Sequence, residues 1–300
     1  MFKYSKDLER QITKSGMDDA MQKQISVMCK QEEDKARDKI ALVQFWRQTK
    51  YYQNTCILDG DYQELEKAGL LISDMEIKTN TKPRKIHTHL PAEPFVGDLL
   101  LANCFVVTLN PRAALPYSDE YENWSNPELK DLAEQNRLQK SRMYPFYYLD
   151  TKLETTGGGL WWLKTLGLDK EKIDTVANKF NMPVSYLRRL VATHFCDIEL
   201  CPYHSNQWDN NKLKQLIIDK KLQSSVMVID FIKQVINDKD KTVFIRGDKD
   251  SGYVSNILQH FIPELKHDLS NVHYISGQRV WLQPLSVNGQ ILFDKICGVN

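Results

Sequence analysis

Apolar residues recur at helical spacing through the first third of the chain and gather into short continuous runs after Pro94. Met17, Met21, Ile25 and Met28 lie three or four apart, as do Ile40, Val43 and Trp46, and both sets predict amphipathic helices. Asp61 with Glu64 three residues later has the form of a capping box, and Gly69 is a natural stop for that short helix. Lys78 to His89 is polar and lacks a period, and Pro91 and Pro94 follow. This stretch predicts a boundary between an N-terminal helical extension, residues 1–90, and an α/β domain, residues 91–300.

Beyond Pro94 the pattern changes. Cys104 to Leu109 is an unbroken apolar run apart from Thr108, as a strand covered on both faces requires. Phe195 to Leu200 is a second run, and Val243 to Ile245 and Val272 to Ile275 are shorter ones. Helical patterns fall between them: Pro127 to Met143 behind Asn126 as a cap, Lys170 to Phe180, Val184 to Thr193, Lys212 to Leu222, Val226 to Ile236 and Gly252 to Phe261. Strands alternating with helices predict a three-layer α/β/α fold with a central four-stranded parallel sheet. Function in such sheets gathers beyond the C-terminal ends of the strands.

Composition narrows the class without naming it. Of the 300 residues 42% are apolar and 26% charged, which suits a globular protein, and the net charge of +1 supplies no global attraction to nucleic acid or membrane. A nucleic-acid surface would therefore be a local basic patch. No apolar run approaches the length of a membrane span, the N-terminal MFKYSKDLERQ has no signal-peptide core, and six cysteines are scattered over the chain. Reduced thiols, a cytoplasmic location and no membrane partner are the expectation.

Two strand ends carry the candidate chemistry. The first predicted strand runs into Asn110-Pro111-Arg112, with Tyr117, Asp119 and Glu120 on the loop beyond. Proline stops the ladder and the preceding carboxamide can project into the crevice, although a plain strand-to-loop turn has the same residues. The second runs into Cys201-Pro202-Tyr203-His204-Ser205. An aromatic face and adjacent donors are what an extruded base requires, whereas a tyrosine packed under a loop beside a satisfied histidine is the ordinary alternative.

The segment Pro94-Phe95-Val96-Gly97-Asp98, then Ala102, then Leu109-Asn110-Pro111 resembles the first motif of the uracil-DNA glycosylase superfamily, in particular its thymine/uracil-mismatch branch. The stretch from Tyr144, YPFYYLDTKLETTGGGLWWLKTL, and the later CPYHS resemble a divergent bacterial subgroup of that superfamily. The resemblance covers residues 94 to 300. It implies a four-stranded parallel sheet between helices and hydrolysis of the N-glycosidic bond of an extruded nucleotide, with Asn110 positioning the attacking water. Divergent bacterial relatives include anti-phage enzymes that excise a modified cytosine such as glucosylated hydroxymethylcytosine. Two departures stand out. Arg112 replaces the motif glycine, and Gly277 to Ser286 occupies the place of the late His-Pro-Ser-Pro motif.

These readings assign catalytic candidates Asn110, His204 and Asp119, with Glu120 as the alternative to Asp119. Tyr203, Pro111, Arg112, Tyr117, Ser205 and Trp281 are candidates for substrate contact. Arg246, Lys249, Ser251, Arg279, Ser286 and Asn288 follow strands or precede helices, where charge and backbone N–H groups suit DNA phosphates. The glycines of Thr155 to Trp162 suggest a flexible loop entering a helix and fit neither a Walker nor a dinucleotide pattern. His194, Cys196, Cys201 and His204 are close in sequence, but a regular strand would point the two thiols to opposite faces, so no metal or other cofactor is expected. The leading expectation is a monofunctional DNA glycosylase whose partner is DNA carrying a damaged or modified base. The alternatives are a non-catalytic base-reading module, a hydrolase of free nucleosides, and an interaction protein working through its N-terminal helices.

Overall fold

A computed structural model describes residues 19–72, 85–111, 127–140, 142–205, 210–275, 282–284 and 286–297. In chain order, α1 (Asp19–Arg37), α2 (Ala41–Gln48) and α3 (Asp59–Lys67) precede strands β1 (Phe95–Val96) and β2 (Cys104–Thr108). Then come α4 (Pro127–Arg137), α5 (Gly157–Leu166), α6 (Ile173–Lys179), α7 (Val184–His194) and β3 (Phe195–Glu199). The rest is α8 (Asn210–Ile218), α9 (Gln223–Asn237), β4 (Thr242–Arg246), α10 (Tyr253–Phe261), β5 (Val272–Ile275) and α11 (Val287–Cys297).

The sheet has five strands in the order β1-β3-β2-β4-β5. The four predicted strands are all parallel, with Val106 opposite Asp197 and Phe244. The expected four-stranded sheet is corrected by β1, which adds antiparallel to β3 through Phe95 opposite Ile198. A strand of two residues has no alternation to read, and it ends at Gly97, whose φ of +128° suits glycine. A Cβ there would meet the Phe195 carbonyl at 2.7 Å, so the close packing of β1 on β3 also requires glycine.

Alternate residues of each strand serve two separate cores. Phe105, Val107, Cys196, Ile198, Val243 and Ile245 face one layer, where α9 and α10 pack together with Leu42, Val43, Trp46 and Leu65 of the N-terminal helices. Cys104, Val106, Phe195 and Phe244 face the other, built from α4 to α7 and α11. The N-terminal helices thus share a core with the sheet. Arg37, at the end of α1, is 2% exposed and pairs with Asp98 at 2.7 Å. Met28 of the predicted methionine face is 58% exposed, whereas Val43 and Trp46 are buried as their spacing predicts. Met17 lies outside the described residues.

The predicted capping box at Asp61 is corrected. The N-cap of α3 is Leu58, which makes no side-chain cap, and Asp61 lies within the first turn. Its carboxylate accepts instead from the Gln223 (2.7 Å) and Ser224 (3.3 Å) amides, at the start of α9. It therefore caps a helix distant in sequence, which pattern reading within one helix has no means to find. Gly69 ends α3 with φ +68°, as expected of a stop.

The stretch expected to hold a boundary is stitched to the loop after β3. His87 N–H donates to the His204 carbonyl (2.9 Å), Glu93 N–H to Pro202 (2.8 Å), and Ile86 forms a bridge with Ser205.

Candidate active site

The chain leaves β2 towards β3 on one side and leaves β4 towards β5 on the other, so the direction of winding reverses between β2 and β4. The crevice outside such a reversal is the usual place for a ligand. Of the two strands that border it, β2 runs into Asn110 two residues beyond its end, and Arg246 closes β4 with its side chain exposed.

Asn110 is held by three acceptors. Its Nδ2 donates to Ser205 Oγ at 2.7 Å, to the Tyr203 carbonyl at 3.1 Å and to the Pro111 carbonyl at 3.2 Å. Ser205 N–H donates to Pro111 at 3.1 Å, and Leu200 and Cys201 N–H groups bond Thr108 and Leu109. The two proline-broken strand ends are therefore one unit. Anchoring the amide nitrogen fixes which way the carboxamide faces, and its oxygen is the atom that remains to accept from a water.

Tyr203, expected to stack on a base, is placed otherwise. Its ring is 1% exposed inside the sheet core, and its hydroxyl donates to Asp61 Oδ2 at 2.7 Å and accepts from Leu58 N–H at 3.3 Å. The loop turns this side chain towards the N-terminal helices because they supply both an apolar wall and a buried carboxylate. Burial holds the Asp61 carboxyl above its ordinary range and the Tyr203 phenol well above its own.

His204 is 2% exposed, and its Nε2 lies 3.0 Å from Glu93 Oε2. Glu93, 4% exposed, also accepts from the hydroxyls of Tyr147 and Tyr148. Tyr148 reaches it by passing close to Gly158, where a Cβ would lie 2.2 Å from the ring. The three glycines are thus the first turn of α5, capped by Thr156 Oγ1 on Gly159 N–H at 3.1 Å. The expected flexible loop is corrected: close packing of the Tyr148 ring at Gly158 and of the Leu153 carbonyl at Gly159 asks for glycine at those two positions.

Sequence reasoning missed a buried pair of acids. Asp197 and Glu199 share the face of β3 that carries Phe195, and they are 2% and 6% exposed. Thr108 Oγ1 donates to Asp197 Oδ1 at 3.1 Å, and the two carboxyls hydrogen-bond each other. Burial raises both; nearby Glu93 adds to the rise, while Thr108, Glu199 and Arg246 hold Asp197 down to about 7. Glu199 lies well above the usual carboxylate range, because burial and the Asp197 charge act together. The signal was present in Phe-Cys-Asp-Ile-Glu: two acids at alternate positions of an otherwise buried strand.

The phosphate candidates divide. Arg246 lies 6.0 Å from the Trp161 ring centroid at the crevice rim. Lys249 is paired with Asp268 at 2.6 Å, and Ser251 is exposed beside Asp248. Ser286 caps α11 through Gly289 N–H at 3.0 Å, with Asn288 half-buried in the first turn. Asp119, Glu120, Arg112, Tyr117, Arg279 and Trp281 lie outside the described residues.

Cys196 and Cys201 lie in the same core layer, contrary to the expected opposite faces. Strand β3 ends at Glu199, so the alternation does not carry through to Cys201. Burial pushes both thiols far up, and among the described residues no group of His, Cys, Asp and Glu has a metal-binding arrangement. Among them, too, no helix is long and apolar enough to cross a membrane. Comparison of the chain with family models, curated proteins and solved structures finds no match to any of them.

Proposed function

We propose that this chain is a DNA glycosylase, hydrolysing the N-glycosidic bond of an extruded damaged or modified nucleotide and leaving an abasic site. The observation that carries the reading is Asn110, fixed by Ser205, Tyr203 and Pro111 just beyond the C-terminal end of β2.

Breaking the bond between C1′ and a base is largely dissociative. Positive charge grows on the sugar and negative charge on the departing base. A water held by the Asn110 carboxamide oxygen is already positioned to meet C1′, which removes the entropic cost of recruiting it during the reaction. Ser205, which accepts from Asn110, and His204, beside Glu93, are the candidate donors to a base carbonyl. Arg246 with Trp161 forms a cationic and aromatic rim of the kind that contacts phosphate and bases. The resemblance of CPYHS and of the YPFYYLDTKLETTGGGLWWLKTL stretch to the divergent bacterial glycosylases supports the same reading and suggests phage DNA bearing a modified cytosine as one substrate.

The test is strand nicking after alkali, on DNA containing uracil and on DNA containing glucosylated hydroxymethylcytosine, with wild type beside Asn110→Ala. Abasic sites made by the wild type and lost in the variant support the reading, and the preferred DNA names the base. Binding without release from a wider panel of modified bases would instead indicate a base-reading module.

A further inference from the structure

We infer that Glu199 is the base that takes the proton of the attacking water, with Asp197 behind it as the group to which its own proton moves. The inference rests on the glycosylase reading and adds what that reading lacks, since a neutral carboxamide positions a water but activates it weakly.

The geometry makes the assignment. Thr108 stands opposite Glu199 in the parallel register, and Asn110 lies two residues further along that chain, just beyond the end of β2. Asn110 and Glu199 thus lie at the same end of the sheet, on adjacent chain segments. Asp197 lies two residues deeper, opposite Val106, and is fixed by the Thr108 hydroxyl at 3.1 Å. Glu199 bonds Asp197 and Thr108, and its buried Oε2 has no further hydrogen-bond partner among the described residues. Buried acceptors are normally satisfied, so a carboxylate oxygen left without a partner at the C-terminal end of the sheet marks a place for a proton or a water. Two carboxyls in contact cannot both ionise in such a setting, so they hold one proton between them.

Such a pair acts in one concerted step. The water oxygen forms a bond to C1′ as the C1′–N bond breaks, and its electron pair leaves with the base. The water proton passes to Glu199 while the proton already on Glu199 passes to ionised Asp197. The pair then returns one proton to solvent or to the departed base, so that sugar hydroxyl and protonated base are the products. The charged groups whose fields reach the pair are Glu93, on the segment before β1, and Arg246 of β4.

The experiment is single-turnover excision by the full chain, with DNA affinity measured in parallel. The unmodified protein should show a rate rising tenfold per pH unit below about 7 and level above it, as ionisation of Asp197 requires. Glu199→Gln should lower the rate by about 100-fold or more at unchanged DNA affinity and remove the pH limb. Glu199→Asp should recover part of the rate. Asp197→Asn should also abolish the limb while leaving binding intact. A Glu199→Gln protein that folds and keeps wild-type rate and pH profile would overturn the inference and leave the glycosylase reading standing. If the glutamine variant does not fold, a flat wild-type profile overturns it equally. Absence of excision by the wild type on every modified DNA overturns both together.

Discussion

The Tyr203 hydroxyl donates to Asp61 Oδ2 across 2.7 Å, joining the loop after β3 to helix α3 from the other end of the chain. The same carboxylate caps α9 through Gln223 and Ser224, so one buried acid holds three elements in register. Because Tyr203 lies next to His204 and its carbonyl receives Asn110, this distant contact sets the position of the candidate site.

Removing that acid should be costly. Asp61→Ala leaves the Tyr203 hydroxyl and the first amides of α9 without their acceptor, and a loss of about 3–5 kcal/mol is expected from breaking such a buried charged network. Urea unfolding would measure it. Tyr203→Phe removes only one donor, and a smaller loss of about 1–2 kcal/mol should follow.

Gly158→Ala tests the packing beneath Glu93. The added methyl would lie 2.2 Å from the Tyr148 ring, so either that ring or the first turn of α5 must move. The expected cost is about 1–3 kcal/mol, read by thermal melting, with loss of the Tyr148–Glu93 hydrogen bond as the local consequence.

Stability should depend on pH through Asp197. Its folded value of about 7 lies above its ordinary 3.8, so the folded state binds more protons between those limits. Stability from this group is therefore complete below about 3.8 and is lost as pH rises through about 7. The melting temperature of the wild type should fall over that window relative to Asp197→Asn, measured in matched buffers. Each kcal/mol corresponds to about 2–4 °C in a large domain.

On the glycosylase reading, Arg246→Ala should weaken DNA binding uniformly across sequences. If the guanidinium neutralises one phosphate, the slope of log affinity against log salt should become shallower by about 1, as titration at several salt concentrations would show. An unchanged slope would place Arg246 away from the backbone.

Much of the architecture was legible in order along the chain. The runs Cys104 to Leu109 and Phe195 to Leu200 marked buried strands because continuous apolar residues suit a sheet covered on both faces. Pro111 and Pro202 marked where those strands stop. Helix limits were looser: the pattern from Pro127 to Met143 gives a helix ending at Arg137, because tertiary contacts rather than period decide where a helix stops. The added strand Phe95–Val96 was silent, being too short to alternate.

By itself the sequence determined where the four parallel strands run, which strand ends carry Asn110 and the Tyr203-His204-Ser205 run, and that Val43 and Trp46 line one side of a helix. These follow from local spacing, which alternation and helical period encode directly. Only the tertiary structure decided that Asp61 would serve Tyr203 and α9 rather than its own helix. It also decided that Glu93 would orient His204, and that Asp197 and Glu199 would be buried together beside the strand that runs into Asn110. Such contacts join residues far apart in the chain, and their energies depend on burial and distance, which exist only once the layers have closed.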